Sequence, residues 1–181
     1  TEFKVARYNT AGTRLSTWTY DADTYNNGNY QYPHEYGRAI FSSDTGDFFI
    51  AGRGYRYSDE RFVSIMRISN DGTREANYRY DFATSGAAVE QIESLLPLPD
   101  GKFLAIGHSD YELLISRHNA DGTLDESFGT NGVYKSPALS GTAEALKATL
   151  TDDGKIIVVG HANNGSTRDI VVFQLNYEGT V

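Results

Sequence analysis

The chain has 181 residues, enough for one domain with a sizeable core, and its 24 acidic and 16 basic residues leave a net charge of −8. That balance, with no Lys/Arg cluster, argues against a nucleic-acid backbone or an anionic membrane as partner. The absence of cysteine excludes a disulfide scaffold and thiol chemistry, and no run approaches the roughly 18 apolar residues of a membrane-spanning helix.

From the N-terminus, the first recognisable pattern is Val5-Ala-Arg7-Tyr-Asn9-Thr-Ala-Gly12-Thr13. It returns as Ile65-Met-Arg67-Ile-Ser69-Asn-Asp-Gly72-Thr73, as Ile115-Ser-Arg117-His-Asn119-Ala-Asp-Gly122-Thr123 and as Val172-Phe-Gln174-Leu-Asn176-Tyr-Glu-Gly179-Thr180. Repetition at this period is the mark of a repeat architecture. The register runs past the turn: Trp18, Tyr78 and Phe128 each lie 11 residues after their arginine, and Tyr20-Asp21 matches Tyr80-Asp81. An aromatic held in one place while its neighbours vary predicts one packing role used three times.

A second motif follows the first three copies: Gly46-Asp-Phe-Phe-Ile-Ala-Gly52, Gly101-Lys-Phe-Leu-Ala-Ile-Gly107 and Gly154-Lys-Ile-Ile-Val-Val-Gly160. Short apolar runs between glycines read as buried strands, and the Asp/Asn-Gly pairs supply the left-handed angles of hairpin turns. One unit is then an arginine strand, a turn, an aromatic strand, a variable loop, a strand, a turn and an apolar strand. Four strands in about 50–60 residues is the size of a propeller blade. A blade must be covered on both faces, which predicts that the apolar runs, such as Lys155-Ile-Ile-Val-Val, form the innermost strands.

The fold expected is therefore all-β: propeller-like blades of four antiparallel strands, three repeats plus one extra strand. The units span approximately 3–60, 61–110 and 111–168, with a final strand at 169–181, in a single repeat domain. Thr142–Leu150 (TAEALKATL) has helical propensity, but its alignment with Gln91–Leu98 predicts a strand. The arginine strand occurs four times and the apolar strand three times. A partial or open propeller cut from a longer one is the first expectation, half of a dimeric six-bladed ring the second, and a short solenoid the third. Open edge strands predict self-association.

Arg-x-Asn-x-x-Gly-Thr-Leu-Asp-x-x-Phe-Gly-x-x-Gly-Val followed by Asp-Gly-Lys-Ile-Ile-Val-Val-Gly resembles the bacterial delta-60 repeat. Leu113–Gly160 matches well, including Leu124-Asp125, Phe128-Gly129 and Gly132. The first two units depart from it: Leu15 and Glu75 stand in the Leu-Asp position, and neither unit keeps Phe-Gly-x-x-Gly. The resemblance implies a propeller-like tandem repeat from a secreted or surface protein, hence an extracellular or cell-surface location. It brings no catalytic signature, and no signal-peptide pattern is present in the chain.

Candidate binding residues lie in two places. The loop Asp21–Gly37 (DADTYNNGNYQYPHEYG) gathers Tyr25, Tyr30, Tyr32, His34 and Tyr36. Tyrosine offers rigid apolar area with a hydroxyl, a combination suited to protein or glycan ligands, beside the plainer reading of a solvated loop. Arg53, His108 and His161 each follow the closing glycine of an apolar strand, so they would project at one rim as a polar ring or simply bond locally. No metal is expected. The nearest pattern is an oxygen-rich calcium candidate at Asp21, Asp23 and Asn27, where Tyr25 takes the third ligand position and the closing glutamate is missing. Arg7, Arg67 and Arg117 are expected to bury their stems and pair with carboxylates, those of a neighbouring turn among them. Nucleophile-elbow, Walker, zinc and Rossmann motifs are all absent, so no enzyme is expected.

Overall fold

The computed structural model describes residues 2–21, 34–55, 61–83, 89–136, 141–163 and 165–181. Its strands are β1 (Glu2–Tyr8), β2 (Arg14–Asp21), β3 (His34–Ser42), β4 (Phe48–Tyr55), β5 (Arg61–Ile68), β6 (Arg74–Tyr80), β7 (Gln91–Pro97), β8 (Phe103–Ser109), β9 (Glu112–His118), β10 (Val133–Lys135), β11 (Thr142–Leu150), β12 (Ile156–Asn163) and β13 (Arg168–Leu175). They pair as antiparallel meanders: β1-β2, then β3-β4-β5-β6, then β7-β8-β9-β10, then β11-β12-β13. The fold is all-β and of partial-propeller type, with no helix among the described residues and no sheet closed into a barrel. Thr142–Leu150 is a strand despite its helix-forming residues, because alternate Ala143 and Ala145 face the core.

The sheets are out of phase with the sequence units. Each four-stranded sheet takes the end of one unit and the start of the next, because its first strand follows the variable loop and its last two are the next unit's arginine strand and the strand after that unit's glycine turn. Among the described residues, three cores separate four sheets. Tyr20, Ile50, Met66 and Ile68 fill the first, and Phe49, Val63, Ile65, Ile92, Phe103 and Leu114 the second. Leu104, Ile106, Leu113, Ile115, Ile156, Val158 and Leu175 fill the third. Phe103 and Ala105 thus face one neighbouring sheet while Leu104 and Ile106 face the other, so every residue of β8 is buried.

This corrects one expectation. The continuous apolar runs are the second strands of their sheets, and the strands that bring successive sheets together are the first ones, with β3 packed on β7 and β7 on β11. β4 and β8, buried on both faces over their apolar runs, need apolar residues at successive positions wherever they sit in the sheet, whereas β12 leaves Val159 exposed.

The repeated aromatics share one packing role. A Cβ built on Gly72 would lie 1.9 Å from Trp18, one on Gly122 2.6 Å from Tyr78, and one on Gly179 2.6 Å from Phe128. Each aromatic therefore covers the turn glycine of the following sheet, approaching closer than any side chain there would permit. A second tie repeats: the Tyr20 hydroxyl donates to the Gly72 carbonyl at 2.7 Å, and the Tyr80 hydroxyl to that of Gly122 at 3.1 Å. Trp18 and Tyr78 lie in β2 and β6 as expected, but Phe128 lies outside any strand. Leu124–Gly132 loops out through Gly129 and Gly132, both at positive φ, before the short β10 begins. The loop reaches the same place by another path, and its Gly129 N–H donates to the Glu178 carbonyl at 2.8 Å.

The arginines also connect sheets, unequally. Arg117 is almost fully buried, bonding Asp125 at 2.7 Å, the Tyr177 carbonyl at 2.7 Å and Ser127 Oγ at 2.9 Å. Arg67 pairs with Asp47 inside its own sheet at 2.6 Å, and exposed Arg7 donates to Asn70 Oδ1 at 2.9 Å. Asp47 and Asp125 belong to the arginine's own sheet, whereas across sheets Arg7 reaches Asn70 and Arg117 reaches the Tyr177 backbone and, at 3.4 Å, Glu178, the acidic residue of the neighbouring turn.

Two buried titratable groups give the core opposing pH responses. His118 stacks on Phe103 and lies between Ser116 Oγ (2.9 Å) and the Gly122 carbonyl (3.3 Å); burial pushes its pKa down to about 4. Between pH 4 and 6.5 the unfolded chain binds the extra proton, so this group makes stability rise with pH, by about 3 kcal/mol in all. Glu90 accepts from the Phe82 N–H and Ser109 Oγ, and burial pushes its pKa up to about 7. Between pH 4.5 and 7 the folded chain holds that proton, so stability falls as pH rises. In urea titrations from pH 4.5 to 7, Glu90→Gln is expected to leave a rising slope and His118→Gln a falling one. Equal slopes in the two variants would contradict this assignment.

Candidate functional site

The site is built by a bulge that occurs three times. The register shifts between Gly37 and Ala39, between Ile92 and Ser94, and between Ala145 and Lys147, always in the first strand of a sheet. Opposite each bulge stands the closing glycine of the apolar motif. A Cβ on Gly52, Gly107 or Gly160 would strike the carbonyl oxygen of Tyr36, Gln91 or Glu144 at 1.7, 1.9 or 2.1 Å. The glycine is required because the bulged backbone comes too close for a side chain. The next residue in each case is Arg53, His108 or His161, facing Tyr36, Gln91 and Glu144 respectively.

The three rim positions named from sequence therefore are equivalent, and the first strands draw them to one mouth. Arg53 lies over the rings of Tyr36 (5.3 Å) and Tyr55 (5.1 Å), which meet edge to face with centroids 5.8 Å apart. Tyr36 remains 47% exposed, an aromatic surface open to solvent beside a cation. Arg38, carried by the first bulge, donates to Gln91 Oε1 at 3.3 Å, and the Gln91 amide donates to Glu93. Glu93 occupies the second bulge. His161 Nε2 lies 3.6 Å from Glu144, and the donor atoms of Glu93, His108 and Glu144 all lie within 4.8 Å of one another.

His108 is buried, and its Nδ1 has no hydrogen-bond partner. Burial lowers its pKa, against the attraction of Glu144 and Glu93, which favours a neutral ring. Such a mouth offers aromatic stacking, two guanidinium groups, two imidazoles and two carboxylates.

Of the other residues named from sequence, His34 is the first residue of β3 and Asp21 the last of β2. Tyr25, Tyr30, Tyr32, Asp23 and Asn27 lie outside the described residues. Sequence reasoning missed Arg38, Tyr55, Gln91, Glu93 and Glu144. The signal was a polar residue set in an otherwise apolar first strand, hidden because the pairing sets Gln91 level with Glu144, two residues beyond the start of β11.

A second concavity, of about 950 Å³, lies at the outer edge between β6 and β10, lined by Tyr80, Phe82, Leu124, Tyr134, Lys135 and Thr180 among others. Lys135 Nζ donates to the Phe82 carbonyl at 2.6 Å across it.

A search of curated proteins finds no match to this chain. Residues 98–128 and 151–181 match the family model described as "Domain of unknown function (DUF5122) beta-propeller". The two segments are structurally equivalent, each running from the turn before the apolar strand (β8 or β12) through the next strand and past its glycine turn. Over these two segments the chain is similar to the DUF5122 beta-propeller family, which supports a repeat protein of β-propeller type.

Proposed function

We propose that this chain is a non-enzymatic propeller repeat segment of a bacterial secreted or cell-surface protein, of the delta-60 type, serving as a scaffold that presents a binding rim. The observation that supports this reading is the division of labour among its residues. Every strongly repeated feature (the aromatic on the turn glycine, the bulge, the closing glycine) is structural, while the residues carried on that frame differ from sheet to sheet: Tyr36 and Arg53, Gln91 and His108, Glu144 and His161. Binding of the chain to immobilised bacterial-surface and extracellular protein panels tests it. Loss of a specific signal in Arg53→Ala, with the unfolding midpoint unchanged, is the expected result. Turnover of any substrate in a panel of chromogenic glycosides and esters would overturn the non-enzymatic reading.

A second reading, a glycan-binding module, is favoured by the exposed Tyr36 ring beside Tyr55 and Arg53. On a glycan array it predicts a signal that Tyr36→Ala abolishes; the tyrosine loop offers Tyr30→Ala and Tyr32→Ala as further variants. A flat array leaves the protein-binding reading in place.

The same reading includes self-association through the last sheet. Ile170 and Val172 are 82% and 63% exposed on the face of β13 turned away from the core, and among the described residues β13 is an edge strand. Exposed apolar edges pair with further strands. Sedimentation is expected to show dimers or larger species that Ile170→Lys disperses. A concentration-independent monomer would count against it.

A further inference from the structure

We infer that the mouth between the third and fourth sheets binds a divalent transition-metal ion of the zinc class through Glu93, His108 and Glu144, with His161 alongside. Three observations converge on this. The donor atoms of the three residues lie within 4.8 Å of one another, although they come from separate strands, β7, β8 and β11. Donors around a tetrahedral ion with bonds of about 2.1 Å sit roughly 3.4 Å apart, so small side-chain rotations complete the set. Second, His108 is only 7% exposed and its buried Nδ1 has no hydrogen-bond partner, an unusual state for an imidazole that a ligand would resolve. Third, the Gln91 amide donates to Glu93, orienting a carboxylate as outer partners of metal ligands do.

The chemistry of the donors selects the ion. Mixed imidazole and carboxylate donors suit zinc and its neighbours, whereas calcium and magnesium prefer all-oxygen shells. An anion is disfavoured because Glu93 and Glu144 both face the space. His161 Nε2, 3.6 Å from Glu144, either completes the shell or hydrogen-bonds the ligating carboxylate. The inference stands apart from the proposed scaffold role, since a metal could serve ligand capture or simply tie two sheets together.

The test uses the full 181-residue chain, stripped with a chelator and titrated with zinc chloride by calorimetry, with bound metal assayed after dialysis. The expected result is a single bound zinc per chain, weakened at least about tenfold in Glu144→Gln and in His108→Gln. Glu144 is half-exposed, so its variant is expected to keep the fold, which circular dichroism verifies; the exposed Asp153→Asn is expected to bind like the parent. Absence of zinc binding, unchanged affinity in Glu144→Gln, or equal affinity for calcium would each overturn the assignment.

Discussion

Replacing Gly122 by alanine is expected to destabilise the protein by about 3 kcal/mol, whereas the same change at Gly12 should cost only about 1 kcal/mol. Both glycines sit in equivalent turns at positive φ, +97° and +77°, so the backbone strain of a Cβ is common to the two. Their surroundings differ. A Cβ at Gly122 would stand 2.6 Å from Tyr78 and 3.2 Å from Phe49, while nothing lies within 4 Å of one at Gly12. The difference between the variants thus measures the contact between sheets, free of the turn's own preference. Urea denaturation of both supplies it. Adding Tyr78→Ala to Gly122→Ala should recover part of the loss, because the ring is what the methyl group strikes. Equal costs at Gly12 and Gly122 would show that the aromatic is not held against the turn in solution.

The arginines form a graded series in which burial sets the size of the effect. Arg117→Met is expected to cost about 3 kcal/mol and Arg7→Met less than about 0.5 kcal/mol, with Arg67→Met between them. Arg117 is 2% exposed and lies over the rings of Phe128 and Tyr177 at 5.0 and 5.4 Å. Its loss leaves the Tyr177 carbonyl without this partner and leaves buried Asp125 with Lys102, at 2.8 Å, as its remaining cation. The acid limb carries the same information. Burial works to raise the Asp125 pKa, but hydrogen bonds from Lys102, Ser127 and Arg117 outweigh it and hold the carboxyl well below its usual range. A depressed carboxylate contributes stability that is present above about pH 4 and lost as pH falls toward the folded value. Arg117→Met should therefore flatten the fall in stability below pH 4. A parallel acid limb in parent and variant would argue against the pairing.

Much of this architecture could be read before any coordinate. The spacing of Arg7, Arg67 and Arg117, the turn glycines behind them and the aromatic 11 residues on are local chemistry repeated, and local chemistry survives in sequence. The strand nature of Thr142–Leu150 was legible only by comparison with Gln91–Leu98, since its own residues favour a helix. Strand partnership was harder. Periodicity marks a unit but not which neighbour completes its sheet, so the half-unit offset and the second-place position of Phe103–Ser109 emerged from pairing alone. Phe128 was misplaced for a related reason: Phe-Gly-x-x-Gly encodes two turns, and a three-residue strand after them leaves little trace.

The candidate site was half legible. Arg53, His108 and His161 were identified as equivalent because each follows a glycine, but the reason for that glycine is a bulge in the facing strand. A bulge is a property of two strands together, and a single strand's residues do not announce it. Glu93 owes its place at the mouth to that extra residue, and Glu144 to a register two positions away from the simple alignment. Neither could have been assigned by counting along the chain.

The clasp between sheets has a polarity. Trp18, Tyr78 and Phe128 always reach forward to a hairpin made 50 or so residues later, never back to one already made. During synthesis, then, each aromatic must wait for its successor's turn to leave the ribosome, and consolidation travels along the chain like a zip fastener whose teeth arrive one at a time. Stalling after any hairpin leaves the last ring uncovered, so the vulnerable moment recurs once per repeat.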